Sequence, residues 1–365
     1  MLATMKSAFA FEPSAAAIPA DERTQQLIDP GFGRVFTDHM AMIRFNRERG
    51  WHDARISARR PIQMEMASSV LHYAQEIFEG LKAYRRPDGG AALFRPDANA
   101  RRFNDSARRM AMPELPEELF LDSIRELVRR EKDWIPDSPD GALYLRPFMF
   151  ASEVFLGVKP ADEYIYAVIA SSVGAYFRGG DPAVTLWVTR EYSRAAPGGT
   201  GAAKCGGNYA ASLIAQAEAT RQGCDQVVFL DAVERRWVEE LGGMNLFFVF
   251  DDGSLQTPPL GGTILAGITR DSILHIARDM GLTVREEPYS IEQWRADAES
   301  GRLAEAFACG TAAVVTAVGK VKGADGSFGI GGQSVGPLTQ RLRSALVGIQ
   351  RGTAADPYDW IEEVV

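Results

Sequence analysis

Four short runs rich in β-branched and aromatic residues, VTLWVTR, CDQVVFLD, RWVEE and MNLFFVF, follow one another in the second half of this chain. Such residues fit the pleated surface of a sheet, so any fold must give these runs strand neighbours. Turn chemistry narrows the choice. NLFFVFDDGSLQTPP places Asp252-Gly253 between two such runs and reads as a hairpin. Two helical segments interrupt the strands. NYAASLIAQAEATRQG reads as amphipathic and ended by Gly223, and ITRDSILHIARDMG as ended by Gly281. Upstream, YIYAVIASSVGAYF reads as a buried strand, and GAYFRGGDPA supplies the turn signals of an interdomain linker. Helices mixed with hairpin-connected strands predict an α+β fold with largely antiparallel sheet.

A chain of 365 residues exceeds what one hydrophobic core usually holds. The expected division is a flexible N-terminal arm over 1–30, a small α/β domain over 31–170, an interdomain linker over 171–183 and a large domain over 184–365. A net charge of -8 argues against a broad basic face for nucleic acid. No apolar run approaches the ~18 residues of a membrane span. The stretch MLATMKSAFAFEPSAAAIPADERTQQ is Ala-rich and nearly free of basic residues. It lacks the charged start and apolar run of a signal peptide, and reads as a loose arm on a cytoplasmic protein. Cys205, Cys224 and Cys309 are isolated, and His39, His52, His72 and His275 show no ligand spacing, so neither a disulfide framework nor a metal site is expected.

One segment stands apart chemically. In GGTGAAKCGGNYA, Gly198 to Ala210, Lys204 sits among glycines and alanines. It could be a solvated loop lysine. Small neighbours, however, let a backbone approach a ligand closely and leave space for one. A lysine held in a poorly solvated pocket has its neutral form favoured and can form a Schiff base with an aldehyde. A phosphate-loop reading fails, because Ala203 precedes the lysine and Cys205 follows it. GIGGQS at Gly329 fails as a dinucleotide fingerprint, because Ser334 stands at the third small position. Pyridoxal phosphate would need two further groups. LAGITRDS offers a phosphate cradle, with Gly267, Ile268 and Thr269 at the start of a predicted helix. VEELGGMN offers Glu239 or Glu240 as a carboxylate for the pyridine nitrogen.

Together FGRVFTDHM, LHYAQEIFEGLKAYR, LFRPDANARRF, LYLRPF, VGAYF, KCGGNYAAS, EELGGMN, GITRDS and FACGTAA resemble the branched-chain aminotransferases. These are pyridoxal-phosphate enzymes of fold type IV, and the matching stretches run from Phe32 to Thr316, most of the chain. The resemblance implies a smaller N-terminal and a larger C-terminal domain with pyridoxal 5'-phosphate at their interface. It implies Lys204 as the catalytic lysine that holds the cofactor, Tyr209 at the cofactor's phenolic oxygen and Glu240 at the pyridine nitrogen. Arg102, with Arg101 as the alternative one residue away, resembles the phosphate-binding arginine. Ile268, Thr269 and Thr311 resemble the rest of the phosphate cradle, and Leu265 the residue packed on the ring face.

The same resemblance implies an apolar substrate pocket of Phe32, Tyr73, Phe78 and Tyr144, with Arg146 for a γ-carboxylate. Ala312 would offer a backbone N–H to the substrate carboxylate, helped by the Tyr73 hydroxyl. Leu156 and Val158 resemble a loop supplied by the partner subunit of a homodimer. Two positions depart from some relatives. Ala313 and Thr316 stand where a CxxC pair would be, and Gly243 stands where a threonine would be. The implied reaction moves the amino group of leucine, isoleucine or valine reversibly to 2-oxoglutarate, giving glutamate and a branched-chain 2-oxo acid. A D-amino-acid aminotransferase or aminodeoxychorismate lyase of the same fold type is disfavoured by FTDHM and LYLRP. A non-catalytic pyridoxal-phosphate carrier would need no FEGLKAYR segment.

Overall fold

The structure, a computed structural model, describes residues 9–174 and 183–365. Two compact units divide the chain, Met1–Tyr176 with Ile349–Val365 and Phe177–Gly348.

In chain order the first unit contains β1 (Ala10–Phe11), α1 (Ala20–Gln26), β2 (Val35–Phe36), β3 (His39–Asn46), β4 (Gly50–Ala58), α2 (Val70–Tyr73) and β5 (Glu76–Phe78). Then come β6 (Leu81–Arg85), β7 (Ala91–Phe94), α3 (Pro96–Arg109), α4 (Glu117–Glu131), β8 (Ala142–Ala151) and β9 (Glu163–Val173). Its sheet runs β1-β4-β3-β9-β8-β6-β7, with β2 on β9 and β5 on β8. Only β1 pairs in parallel within it, on β4. Helices α3 and α4 cover it by packing Phe103 and Phe120 against the buried Tyr166 of β9, with ring centroids 5.5 and 6.0 Å from that tyrosine. Along β8 the alternation sends Leu143 and Leu145 into the core, while Tyr144 and Arg146 share the half-buried face.

The second unit contains β10 (Ala183–Thr189), α5 (Gly206–Arg221), β11 (Gln226–Leu230), β12 (Val238–Leu241), β13 (Asn245–Phe250) and β14 (Leu255–Thr257). After these come α6 (Ile268–Asp279), β15 (Val284–Glu286), α7 (Ile291–Ser300), β16 (Leu303–Gly310), β17 (Val314–Gly323) and β18 (Gly326–Gly329). Helix α8 (Pro337–Arg351) leads to β19 (Ile361–Glu363). The order β12-β11-β10-β17-β16-β13, with β12 also paired to β13, makes a closed circuit of strands. Leu186, Val228, Leu241, Leu246, Phe248, Ala306 and Val318 fill one core cluster there. On the opposite side of β13, Phe247 stacks on Phe307 at 5.0 Å, so this strand is buried on both faces. The β13–β14 hairpin turns at Gly253 with φ 79°, and Gly223 and Gly281 follow their helices with φ 65° and 77°.

Four expectations need correction. The arm over 1–30 is not loose where it is described. Phe9 is buried, β1 pairs with β4, and α1 forms. Ser14 N donates to His39 Nε2 at 2.9 Å, and Ile18 N to Asp38 Oδ1 at 2.9 Å. The linker expected over 171–183 is narrower, because β9 continues to Val173 and β10 begins at Ala183. Of what remains, Gly174 is described and 175–182 lie outside the described residues. The domain expected over 184–365 loses its tail, since β19 pairs with β7 of the first sheet and the second unit is correspondingly shorter. Finally, α5 is not amphipathic in the expected sense. Its buried face is Asn208, Ser212, Ala215 and Ala219, whereas Leu213 and Ile214 are 66% and 48% exposed.

Candidate active site

The loop before Lys204 is held by the helix after it. Asn208, in the first turn of α5, donates through Nδ2 to the carbonyls of Thr200 and Ala203 at 2.9 and 2.8 Å. The Thr200 hydroxyl returns a bond to Asn208 Oδ1 at 2.7 Å. Gly201 packs where no side chain fits, since a Cβ there would lie 2.4 Å from the Thr263 carbonyl oxygen. The loop thus presents a half-buried Lys204 from a fixed backbone. One turn into α5, Tyr209 brings its Oη to 2.9 Å from Lys204 Nζ.

Glu240 is the third residue of the fully buried strand β12. Its Oε1 accepts the Leu265 N–H at 2.9 Å and forms an ion pair with Arg194 Nη1, also at 2.9 Å. Its Oε2 has only a 3.4 Å contact from Asn245 Nδ2. Burial pushes the carboxyl up to about 7, against the opposing pull of Arg194, the Leu265 N–H and Lys204. Glu239, the other candidate, points its carboxylate to the Thr263 hydroxyl and is also raised by burial. The geometry therefore distinguishes the two glutamates: Glu240 keeps an oxygen short of donors inside the protein.

Strand register gathers the remaining second-unit residues. Glu240 pairs with Asn245, Asn245 with Cys309, and Cys309 with Val315. The turn carrying Thr311 and Ala312 therefore lies one strand away from Glu240, across Asn245 of β13. A Cβ on Gly310 would be 3.5 Å from the Gly243 carbonyl oxygen, so that turn also packs on the glycine pair. Asn245 Nδ2 holds the Leu265 carbonyl at 3.1 Å. A Cβ at Gly267, the N-cap of α6, would stand 2.0 Å from Asn245 Oδ1. Only glycine admits this approach. The first-turn N–H groups of Ile268 and Thr269 have no carbonyl one turn back within the helix.

In the first unit Phe32, Phe78, Tyr144 and Arg146 form a cluster. The Phe32 and Tyr144 rings are 5.0 Å apart. Arg146 Cζ lies 4.6 Å from the Phe78 ring centroid, and its Nη2 donates to Tyr144 Oη at 3.0 Å. Gly80 leaves room for that hydroxyl, since a Cβ there would be 2.1 Å from it. Arg146 makes no ion pair among the described residues, and its Nε is buried without a partner. Arg102 is bidentate to the fully buried Glu79 at 2.7 and 2.8 Å, whereas Arg101 makes an exposed pair with Asp97. Tyr73 donates to the Leu156 carbonyl. Leu156 and Val158 are exposed and do not join the aromatic cluster.

Sequence reasoning missed Arg194, Glu79, Asn208 and Asn245. Asn208 and Glu79 stand inside quoted motifs, and their local polarity is a usable signal. Arg194 carries none, because its partner is set by long-range register.

The family model for amino-transferase class IV matches residues 76–321. The chain is 55% identical to a probable branched-chain-amino-acid aminotransferase of Streptomyces coelicolor, over 96% of this chain and 97% of that one. It is 54% identical to a branched-chain-amino-acid aminotransferase of Mycobacterium tuberculosis, over 93% and 94%. Among solved structures, the branched-chain amino acid aminotransferase from Escherichia coli superposes with a TM-score of 0.73 at 30% identity, covering 90% of this chain and 99% of that one. A T.th. branched-chain amino acid aminotransferase with pyridoxamine 5'-phosphate gives 0.72 at 30%, covering 89% and 99%.

Proposed function

This chain belongs to the amino-transferase class IV family, and we infer that Lys204, Tyr209 and Glu240 are the residues through which it works as a branched-chain-amino-acid transaminase. It transfers the amino group of leucine, isoleucine or valine reversibly to 2-oxoglutarate, giving glutamate and the branched-chain 2-oxo acid. The observation that carries the residue assignment is the pairing of Lys204 Nζ with Tyr209 Oη in a unit that also buries Glu240 with one oxygen left short of donors.

Those residues fit pyridoxal 5'-phosphate. Glu240 Oε2 would take the ring nitrogen, Tyr209 the phenolic oxygen, and Leu265 the ring face. The N–H groups of Ile268 and Thr269, with Thr311 and Arg102, would take the phosphate. When bound, the cofactor supplies an aldehyde that carries the amino group and a protonated ring that draws electrons from the α-carbon. Lys204 Nζ removes the α-proton and returns it, and Tyr209 holds that amine in place between transfers. Glu240, as a carboxylate, keeps the proton on the ring nitrogen.

Substrate recognition is assigned to Phe32, Tyr73, Phe78 and Tyr144 for the apolar side chain, Arg146 for the γ-carboxylate, and the Ala312 N–H for the α-carboxylate. We also propose a homodimer whose partner subunit supplies Leu156 and Val158; their exposure supports this. No helix among the described residues is long and apolar enough to cross a membrane. Free amino acids and 2-oxo acids as substrates suit a cytoplasmic enzyme.

The test is Lys204→Ala. Borohydride should fix a pyridoxyl group on wild-type Lys204, found by peptide mass. The variant should lose that link, and leucine–2-oxoglutarate transfer should fall at least ~10²–10⁴-fold. A variant that keeps both would move the chemistry to another lysine.

A further inference from the structure

Beside Glu240 lies a buried arginine. Arg194 follows β10 in EYSRAAPGG, and its side chain is 2% exposed. Its Nη1 reaches Glu240 Oε1 at 2.9 Å, the Thr263 carbonyl at 3.0 Å and the Gly201 carbonyl at 3.4 Å. These acceptors belong to three segments: the end of β12, the approach to α6 and the loop that carries Lys204. Arg194 Nε is buried with no partner. A buried guanidinium with an unmade bond is a costly fastener, and a neutral donor could hold two carbonyls at lower cost. Charge is what a neutral donor lacks.

The two oxygens of Glu240 are unequal. Oε1 takes the Leu265 N–H and the ion pair with Arg194, and Oε2 only the 3.4 Å amide contact. On the reading of function given above, we propose that Arg194 is a positioning residue. Its charge favours the carboxylate form of Glu240 on the Oε1 side, leaves Oε2 for the ring nitrogen of the cofactor, and its bonds to the Gly201 and Thr263 carbonyls tie the Lys204 loop to the segment entering α6. The groups facing Glu240 are Arg194, the Leu265 N–H, Asn245, the neighbouring Glu239 and Lys204. Among them Arg194 opposes the effect of burial most strongly. Without it, burial and Glu239 would both favour the neutral acid. A neutral Glu240 could not hold a proton on the ring nitrogen.

The experiment uses holoenzyme loaded with pyridoxal 5'-phosphate, in wild type, Arg194→Met, Arg194→Lys, Glu240→Gln and the double variant Arg194→Met/Glu240→Gln. The visible absorbance of the bound cofactor is titrated against pH, and the half-reaction with leucine is timed. Arg194→Met is expected to shift the spectral titration in the same direction as Glu240→Gln and to slow the half-reaction about ten- to hundredfold. The double variant should be no slower than Glu240→Gln alone, because the two residues act as one unit. Arg194→Lys keeps the charge and should retain the wild-type titration, with looser retention of the cofactor. An unshifted titration in Arg194→Met, or losses that multiply in the double variant, overturns the proposal. If Arg194→Met does not fold, Arg194→Lys decides alone: a wild-type titration supports the proposal and one like Glu240→Gln overturns it. A wild type that transfers no amino group from leucine defeats the reading of function itself, before any Arg194 variant is compared.

Discussion

Arg146 is the residue whose role can be separated most cleanly from folding. It has no carboxylate partner among the described residues, and its guanidinium lies against Phe78 and Tyr144. A salt-bridge role would need a partner that the described residues do not supply. A γ-carboxylate specifier serves glutamate and 2-oxoglutarate but not leucine. Losing a charge-assisted hydrogen bond costs ~1.5–3 kcal/mol, so Arg146→Gln should raise KM for 2-oxoglutarate roughly ten- to hundredfold. The leucine half-reaction, timed by stopped-flow absorbance, should change little. Equal damage to both halves would remove Arg146 from substrate recognition. Glu240 supports a different prediction, on the protein before it takes up cofactor. Burial raises its carboxyl from 4.5 to about 7. The folded chain therefore keeps a proton there after the unfolded chain has released its own. The stabilising contribution is full below the unfolded value and is lost as pH rises through about 7. Urea unfolding at about pH 5 and about pH 8 should show apo wild type losing up to ~3 kcal/mol relative to Glu240→Gln between them. Parallel behaviour of the two proteins would mean that Glu240 is already ionised when folded. Legibility at this scale follows sequence distance. Tyr209 is five residues from Lys204 on a helix, so a motif holds both. Arg194 meets Glu240 only because β10 and β12 are brought together by β11, and no local pattern carries that information.

Strands and helices are legible where turn chemistry marks their ends. Gly253, Gly223 and Gly281 each take positive φ, and each reads from sequence as a turn or a helix stop. Two features are hidden for physical reasons. The tail strand β19 is three residues long and gains its place only by pairing with β7, a contact made across most of the chain. Helix α5 buries alanines and small polar residues and exposes Leu213 and Ile214, so its apolar residues do not mark its packed face. The N-terminal arm reads as loose because its anchors are long-range side chains. His39 Nε2 accepts the Ser14 N–H, which places the ring proton on Nδ1, facing the buried Glu131. Asp38 holds the Ile18 N–H on one oxygen and the Trp134 indole N–H on the other. His39→Leu would strip Ser14 of its acceptor and leave Glu131 buried without that donor. Such unmade bonds cost ~1–3 kcal/mol each. Limited trypsin digestion should then cleave after Arg23 several-fold faster than in wild type, with the leucine half-reaction unchanged. Unchanged cleavage would show that β1 pairing and the cation–π contact of Arg130 with Phe11 hold the arm without His39.

The whole molecule carries an apolar surface that a lone chain leaves in water. Met66, Leu71 and Tyr73 are exposed on one segment of the first unit, and Val154, Phe155, Leu156 and Val158 on another. The segments are neighbours: Ser68 bridges to Val154, Phe155 N donates to the Ala67 carbonyl, and Tyr73 Oη to the Leu156 carbonyl. Contiguous exposed apolar groups mark an interaction surface more often than singly scattered ones do. A second copy of the chain is the occupant that fits the proposed function, since Val158, 88% exposed, reaches nothing in its own pocket cluster. Covering a leucine or valine side chain is worth about 1.5–3 kcal/mol, and a buried aspartate in its place would oppose association. Wild type should therefore sediment at twice the 39.9 kDa of the chain, and Leu156→Asp with Val158→Asp should sediment as a single chain at micromolar concentration. The same double variant should lose leucine turnover while the isolated chain keeps its fold by circular dichroism, because in the proposed homodimer it is the partner's Leu156 and the partner's Val158 that complete the substrate pocket. A single chain with full leucine turnover would separate dimerisation from catalysis. A variant that remains dimeric would move the interface elsewhere, with the exposed Leu213 and Ile214 of α5 as the next surface to change.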